Sequence, residues 1–366
     1  MSMQWRLLAG LVLAIQCAAG SAHAAANRPD DRYRIVKKIP GPDGMWDYAT
    51  VDSREHRLYL AQGTHISILD LARVGAGAWS RLEVPAAMWH GVVPIRTRGW
   101  ILGTNGHAHT LTIFDAETHK VLKAITTSGG PTAALSGEMA KFAVLADPDA
   151  LVVDPKTGLA AAVNGGSGDV ALVNLATGVV AGTVHVGGKL EFAVADGTGR
   201  LYVNVESAHE IAVIDVSARR VVRRIPLTGC TEPKGLAYDK GTGLLVAGCD
   251  NGVLKFVLAR SATVVATRKI GRGSDAVIVD ARRHRAFVPS GTDAELSIFD
   301  IKDPRHITLV QTLATERGTR LGAVDERTGL LYLPSATLGA PIPPFPWPSA
   351  VPGTFHILVV SRQSNK

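Results

Sequence analysis

A pattern of about 42 residues recurs along this 366-residue chain, and serial repetition at that period leaves few folds open. Each copy has an apolar run ending in Asp, a short turn, a run such as Leu-Tyr-Val and a polar Gly/Asn stretch. A third apolar run, also ending in Asp, and a basic β-branched fourth run complete it. The clearest copy occupies residues 192–196, 200–204, 211–215 and 221–226. The Asp that closes the first run falls at Asp52, Asp154, Asp196, Asp239, Asp280 and Asp325, and the last five stand 42, 43, 41 and 45 residues apart. The 102 residues from Asp52 to Asp154 hold one degenerate copy, residues 91–125, plus an insertion; there Ile95 takes the place of the Asp.

Each run is short, rich in Val, Ile, Leu and Tyr, and bounded by Gly, Asp or Pro, which predicts strands. The turns Lys156-Thr157-Gly158, Gly197-Thr198-Gly199, Lys240-Gly241-Thr242-Gly243 and Arg327-Thr328-Gly329 supply the Gly that tight hairpins need. No helical period is sustained. Four strands per repeat, six clear repeats and one degenerate one predict an all-β fold: a seven-bladed β-propeller of four-stranded antiparallel blades. Residues 33–39 read like a fourth strand, whereas the last repeat has only three strands of its own, ending at residues 355–360. The N-terminal strand is therefore expected to complete the last blade and close the ring.

The opening Gly41-Pro42-Asp43-Gly44-Met45-Trp46-Asp47-Tyr48, the segment Glu232-Pro233-Lys234-Gly235-Leu236-Ala237-Tyr238-Asp239, the recurring Leu-Tyr-Val and Ile-Asp segments and the ending Pro352-Gly353-Thr354-Phe355 resemble the bacterial YVTN-repeat, YncE-like proteins. The resemblance covers nearly all of the chain after its leader. It implies an exported propeller and says little about chemistry. WD40 repeats fit less well, because the Trp46-Asp47 pair begins a strand instead of ending one.

The first residues read as a secretory signal peptide: Arg6, an apolar stretch over residues 7–19, then Ala22-His23-Ala24 as a cleavage pattern. A mature chain beginning near Ala25 and forming one domain over residues 25–366 is expected in the periplasm or outside the cell. Gln16 before Cys17 argues against lipidation. No later apolar stretch reaches the ~18 residues of a membrane span. With 46% hydrophobic and 19% charged residues the chain can bury a core. The formal charge of +7 is dispersed, and export removes nucleic acid as a partner, so none is expected. Three Cys exclude a disulfide scaffold, and the lack of C-x-x-C-H excludes covalent haem.

In a propeller, the segments that enter each first strand gather on one face, around the channel. Five residues before the turn Asp stand Asp47, His90, Asp149, Glu191, Lys234, Asp275 and Arg320, polar in every repeat. Convergent polar groups in a concavity are what a ligand site requires; the competing reading is a structural ring of ion pairs. Trp46, Tyr48, Trp89 and Trp347 are expected on the same face, where they could hold a sugar, a heterocycle or a peptide. Two long connections, residues 126–145 and the Pro-rich residues 339–353, are also placed there. Asp149, Glu191 and Asp275 are the candidate ligands of a hard cation such as Ca2+, and His90, His107 and His109 show no zinc-type spacing.

The function that follows is a monomeric ligand-binding or protein-interaction module for a small polar molecule, a protein or a peptide. A metal-dependent, lactonase-like hydrolase is the alternative, and a quinoprotein-like oxidoreductase ranks lower. Cys230, before the first strand of the fifth repeat, and Cys249, at the end of its second, lie where antiparallel pairing and an oxidising compartment allow a disulfide, with two free thiols as the other reading.

Overall fold

The computed structural model describes residues 32–73, 78–85, 87–128, 147–341 and 348–363. The proposed leader, most of the insertion at residues 126–145, and Trp347 lie outside the described residues. Seven four-stranded antiparallel sheets follow one another along the chain and form a seven-bladed β-propeller. Blade 1 is Ala49–Asp52, Arg57–Gln62, His65–Asp70 and Trp79–Glu83. Blade 2 is Trp89–Ile95, Trp100–Asn105, Thr110–Asp115 and Val121–Thr126. Blade 3 is Leu151–Val153, Leu159–Asn164, Asp169–Asn174 and Val179–His185. Blade 4 is Leu190–Ala195, Arg200–Val205, Glu210–Asp215 and Arg220–Pro226. Blade 5 is Pro233–Asp239, Leu244–Cys249, Val253–Leu258 and Thr263–Lys269. Blade 6 is Ile278–Asp280, Arg285–Ser290, Glu295–Asp300 and Thr308–Ala314. Blade 7 takes Ala323–Asp325, Leu330–Ser335 and His356–Arg362 from the end of the chain, and Tyr33–Pro40 from its beginning, as the outermost strand.

The pattern of burial explains the composition of each strand. Second and third strands are covered on both faces by neighbouring blades, so they read as unbroken apolar runs. Fourth strands lie at the rim with most residues exposed, and their basic residues suit an edge that must not pair with another chain. The core is a series of layers between blades. Phe256 of blade 5 meets Phe299 of blade 6 at 5.7 Å between ring centroids, and Trp89 packs on Phe114 at 5.4 Å.

The turn Asp is a local device. Each carboxylate accepts backbone N–H groups of the turn that follows it, as at Asp52 (Arg54, Glu55), Asp154 (Lys156, Thr157) and Asp280 (Arg282, Arg283). Four residues on, the chain takes a left-handed conformation at Gly158, Gly243 and Gly329, the positive φ that Gly tolerates without strain. Blade 2 has no Asp to organise its turn. A short 3-10 turn, Arg96–Arg98, closed by Gly99 at φ 64°, replaces it.

Candidate functional site

The repeat register brings its polar position to one place. Asp47, His90, Asp149, Glu191, Asp275 and Arg320 line a single cavity of about 270 Å³ together with Trp46, Tyr48 and Trp89. Lys234 does not line it. Its ammonium stands 3.4 Å from Asp250 Oδ1, a nearer counter-charge at the end of the adjoining hairpin. Burial opposes the charge on Lys234, but Asp275 and Asp250 outweigh that and hold its pKa above the ordinary value.

Hydrogen bonds within and between blades fix the frame. Asp47 N donates to Ala61 O (2.9 Å), and Asp149 N to Val163 O (2.7 Å). Thr50 of blade 1 donates to Val92 O of blade 2. Thr104 of blade 2 donates its hydroxyl to the carbonyl of Asp149 and accepts from Gly91 N. Arg320 O accepts from Ala276 N at 3.0 Å, tying blade 7 to blade 6. A Cβ on Gly91 would come 2.9 Å from the Thr104 hydroxyl of its own blade and 3.0 Å from Leu151 Cβ of blade 3, so the close approach of the two blades favours glycine there.

Trp46, Tyr48 and Trp89 are 5%, 8% and 1% exposed and build the walls and floor. Trp46 leans on Phe355 (5.7 Å), with the Arg320 guanidinium 5.8 Å from its ring centroid. Tyr48 of blade 1 meets Phe192 of blade 4 edge-to-face at 4.7 Å. Those blades lie on opposite sides of the ring, so the two rings meet across its axis and give the cup a floor. The other residues one step inward from the polar ring are Gly91, Ala150, Gly235, Ala276 and Leu321, small apart from Leu321.

Most charges at the mouth have partners. His90 Nδ1 lies 2.7 Å from Asp47 Oδ2 and 3.7 Å from Asp149 Oδ1. Arg320 Nε donates to Asp275 Oδ2 at 2.9 Å. Lys189 Nζ bridges Glu191, at 2.9 Å, and Glu206, the latter carried in by a 3-10 turn, Glu206–Ala208, after the second strand of blade 4. Burial pushes Glu191 well above the ordinary carboxylate range, and sharing a hydrogen bond with Glu206 pushes it the same way. The Tyr48 hydroxyl and the Asp149 carboxylate make no hydrogen bond among the described residues, and neither do the buried indole N–H groups of Trp46 and Trp89. Burial raises the Tyr48 phenol well above 10, and the surrounding carboxylates add to the effect. Burial raises Asp149 to about 7, against the opposing pull of His90.

The three carboxylates expected to converge on a cation do not form the group that the structure assembles. Among the described residues, the ligand atoms that lie within 4.8 Å of one another belong to Asp47, His90 and Asp149. Glu191 is engaged by Lys189 and Glu206, and Asp275 by Arg320. His109 turns away, its Nδ1 2.9 Å from Asp147 O. Cys230 and Cys249 are joined in a disulfide with 5.5 Å between Cα atoms, beside Lys234. The long connection in blade 7 carries a small hairpin, Leu338–Pro341 with Pro348–Ala350, and Gly353 N donates to Asp43 Oδ2. Residues 342–347 of that connection are outside the described set.

Several lining residues were not among those singled out by the repeat: Met45, Met88 and Gly63. Their signal is in the sequence, since Met45-Trp46-Asp47 and Met88-Trp89-His90 repeat one another at the same register. Lys189 and Glu206 carry no comparable signal, because only blade 4 has that pair.

No protein-family model matches the chain, and no curated protein sequence matches it. Many solved structures do. One, described as the crystal structure of the mitotic checkpoint complex, has 15% identity and a TM-score of 0.67 over 89% of this chain and 96% of that one. Another, Kuenenia stuttgartiensis hydrazine synthase, has 10% identity and a TM-score of 0.65 over 81% of this chain and 94% of that one. At such identities the likeness establishes the fold alone, a β-propeller scaffold.

Proposed function

We propose that this chain is an exported binding module that takes a small polar ligand at the channel mouth, one that presents hydrogen-bond donors or positive charge. The observation that carries this reading is the unequal satisfaction of the cup. Arg320 and His90 are already engaged by Asp275 and Asp47, whereas the Asp149 carboxylate and Tyr48 hydroxyl face the same cavity without a hydrogen bond among the described residues. A buried acceptor left unanswered is costly, and a donor-bearing ligand would answer it. The aromatic walls would hold the ligand's apolar part. Export rests on the leader-like opening, and kinship with YncE-like repeat proteins rests on the quoted segments.

The test is a thermal-shift panel of small amines, amino acids, polyols, sugars and organic acids, run on tag-free protein in EDTA. Compounds with donors or positive charge are expected to raise the melting temperature, and the shift should vanish in Asp149→Asn. A panel with no shift, or with shifts indifferent to Asp149→Asn and Tyr48→Phe, would overturn the reading. A hydrolytic reading draws on one specific feature, a carboxyl at Asp149 held to about 7, the range of a general acid or base. It predicts lactone or ester hydrolysis that disappears in Asp149→Asn.

A further inference from the structure

We infer that Asp47, His90 and Asp149 form a binding site for a divalent first-row transition cation, with Zn2+, Co2+ or Mn2+ as the chemical class. This deepens the channel-mouth reading and rests on it: the cation would be the positive charge that answers Asp149.

Three observations converge. First, one nitrogen and two carboxylate groups, from the same position of three consecutive blades, bring their ligand atoms within 4.8 Å of one another. Two of the separations are 2.7 Å and 3.7 Å. Around an ion bound at about 2.1 Å, adjacent donors stand roughly 3 to 3.5 Å apart, so small side-chain adjustments suffice. Second, the Asp149 residue is 8% exposed and lines the cavity, yet its carboxylate makes no hydrogen bond among the described residues and the His90 imidazole stands 3.7 Å away. That is an independent sign of a missing partner, since buried carboxylates are ordinarily bonded. Third, the frame is set before any ion arrives, because the backbones of Asp47 and Asp149 are held by Ala61 and Val163 and the Asp149 carbonyl by Thr104.

The donor set decides the class. An imidazole with two carboxylates suits Zn2+, Co2+ or Mn2+. Calcium wants six to eight oxygens, and the further carboxylates at the mouth are committed, Glu191 to Lys189 and Asp275 to Arg320. Three protein ligands leave coordination positions open towards the cavity, where water or a ligand atom could bind.

The experiment is a titration of tag-free, EDTA-stripped and dialysed protein with Co2+, followed by its visible absorption, and with Zn2+ by calorimetry. One equivalent is expected to bind, with a rise in melting temperature and no competition from equimolar Ca2+. His90→Gln and Asp149→Asn should each weaken binding by more than about tenfold, while Asp275→Asn should change it less than about threefold. Circular dichroism would establish that each variant is folded; the Co2+ spectrum of the unsubstituted protein tests the site even if a variant is not. Lack of a stoichiometric Co2+ or Zn2+ complex would overturn the inference, as would equal affinity in folded His90→Gln and Asp149→Asn. If no metal binds but organic compounds still stabilise the stripped protein in an Asp149-dependent way, the cation fails and the channel-mouth reading stands. Failure of both experiments sinks both.

Discussion

At the scale of single residues, the turn carboxylates illustrate how one side chain serves the same end in six of the seven blades and how it can be tested. Asp325 is 2% exposed, accepts from Arg327 N and the Thr328 hydroxyl, and closes the first hairpin of blade 7. Burial alone would raise its pKa, but hydrogen bonds from Ser53, Thr328 and Arg327 outweigh that and hold it below 3.8. A depressed folded pKa contributes stability that is complete above the unfolded value and is lost as pH falls through the folded one. Asp325→Ala should therefore cost about 2 kcal/mol at neutral pH, and the gap from the unsubstituted protein should narrow below about pH 4. Urea melts between pH 7 and pH 3 would read this directly; a gap that widens towards acid would contradict the assignment. Tyr48 predicts the opposite kind of result. Its hydroxyl is buried without a hydrogen bond among the described residues, so Tyr48→Phe should leave the melting temperature unchanged or raise stability by up to about 1 kcal/mol. A comparable loss would show that the hydroxyl is bonded within the folded protein.

Residues that depart from the repeat are as informative as those that keep it. In the left-handed position four residues after the turn Asp, blades 1 and 6 have His56 and His284 in place of Gly, at φ 53° and 50°. Both side chains reach a neighbouring blade: His284 Nδ1 lies 2.8 Å from Asp239 Oδ2, and His56 contacts the Arg327 guanidinium. Contact between blades is what they offer in exchange for a conformation that glycine adopts more readily.

At the scale of elements, the strands and their order were legible because a propeller writes the same instruction many times. The spacing of Asp154, Asp196, Asp239, Asp280 and Asp325 marks each first hairpin, and the recurring apolar runs mark strands buried on both faces. Blade 2, which lacks the turn Asp, was still placed by its register. The polar ring was legible by the same counting, and six of its seven members line one cavity. Pairing within that ring was not legible. Whether Asp149 faces His90 or Glu191 depends on rotamers and on Lys189, a residue that no other blade reproduces. The floor could have been read, since Tyr48 and Phe192 are the two aromatics in a column otherwise made of Gly91, Ala150, Gly235, Ala276 and Leu321, and they belong to opposite blades. Lys234 was placed correctly in register but not in contact, because the competing Asp250 lies on a different strand end.

The disulfide belongs to this scale too, since it joins the entry of blade 5 to the end of its second strand. A bridge between Cys230 and Cys249, 19 residues apart, removes loop entropy from the unfolded chain worth about 3 kcal/mol. The double variant Cys230→Ser/Cys249→Ser should melt correspondingly lower, and a reductant should lower the melting temperature of the unsubstituted protein but not of the variant. Identical melts with and without reductant would mean two free thiols.

At the scale of the whole molecule, stability depends on a closed ring, and closure depends on the strand nearest the N-terminus. Tyr33–Pro40 pairs along its length with His356–Arg362, from Tyr33 opposite Arg362 to Pro40 opposite His356. It also clasps the preceding blade: Tyr33 N donates to Gln311 Oε1, and Gln311 Nε2 donates back to Tyr33 O. Gly41 N then donates to Phe355 O, continuing the seam to the channel mouth, where Phe355 supports Trp46. Blades in the middle of the chain are held by covalent neighbours on both sides, but blades 7 and 1 are joined by this strand, its seam and side-chain contacts such as His56 with Arg327. Removing residues up to Pro40 should therefore expose the long, apolar edge of His356–Arg362, a pairing site for other chains, and release Trp46 from the cup wall. The truncated chain is expected to aggregate or to unfold at much lower urea, whereas Gln311→Ala, which removes only the clasp, should cost about 1 to 2 kcal/mol and leave the chain folded and free of aggregates. Light scattering with urea melts separates these outcomes. A truncated chain that stays unaggregated with its full melting midpoint would show that the ring closes through side-chain packing between blades 7 and 1, without the strand shared by the two ends of the chain.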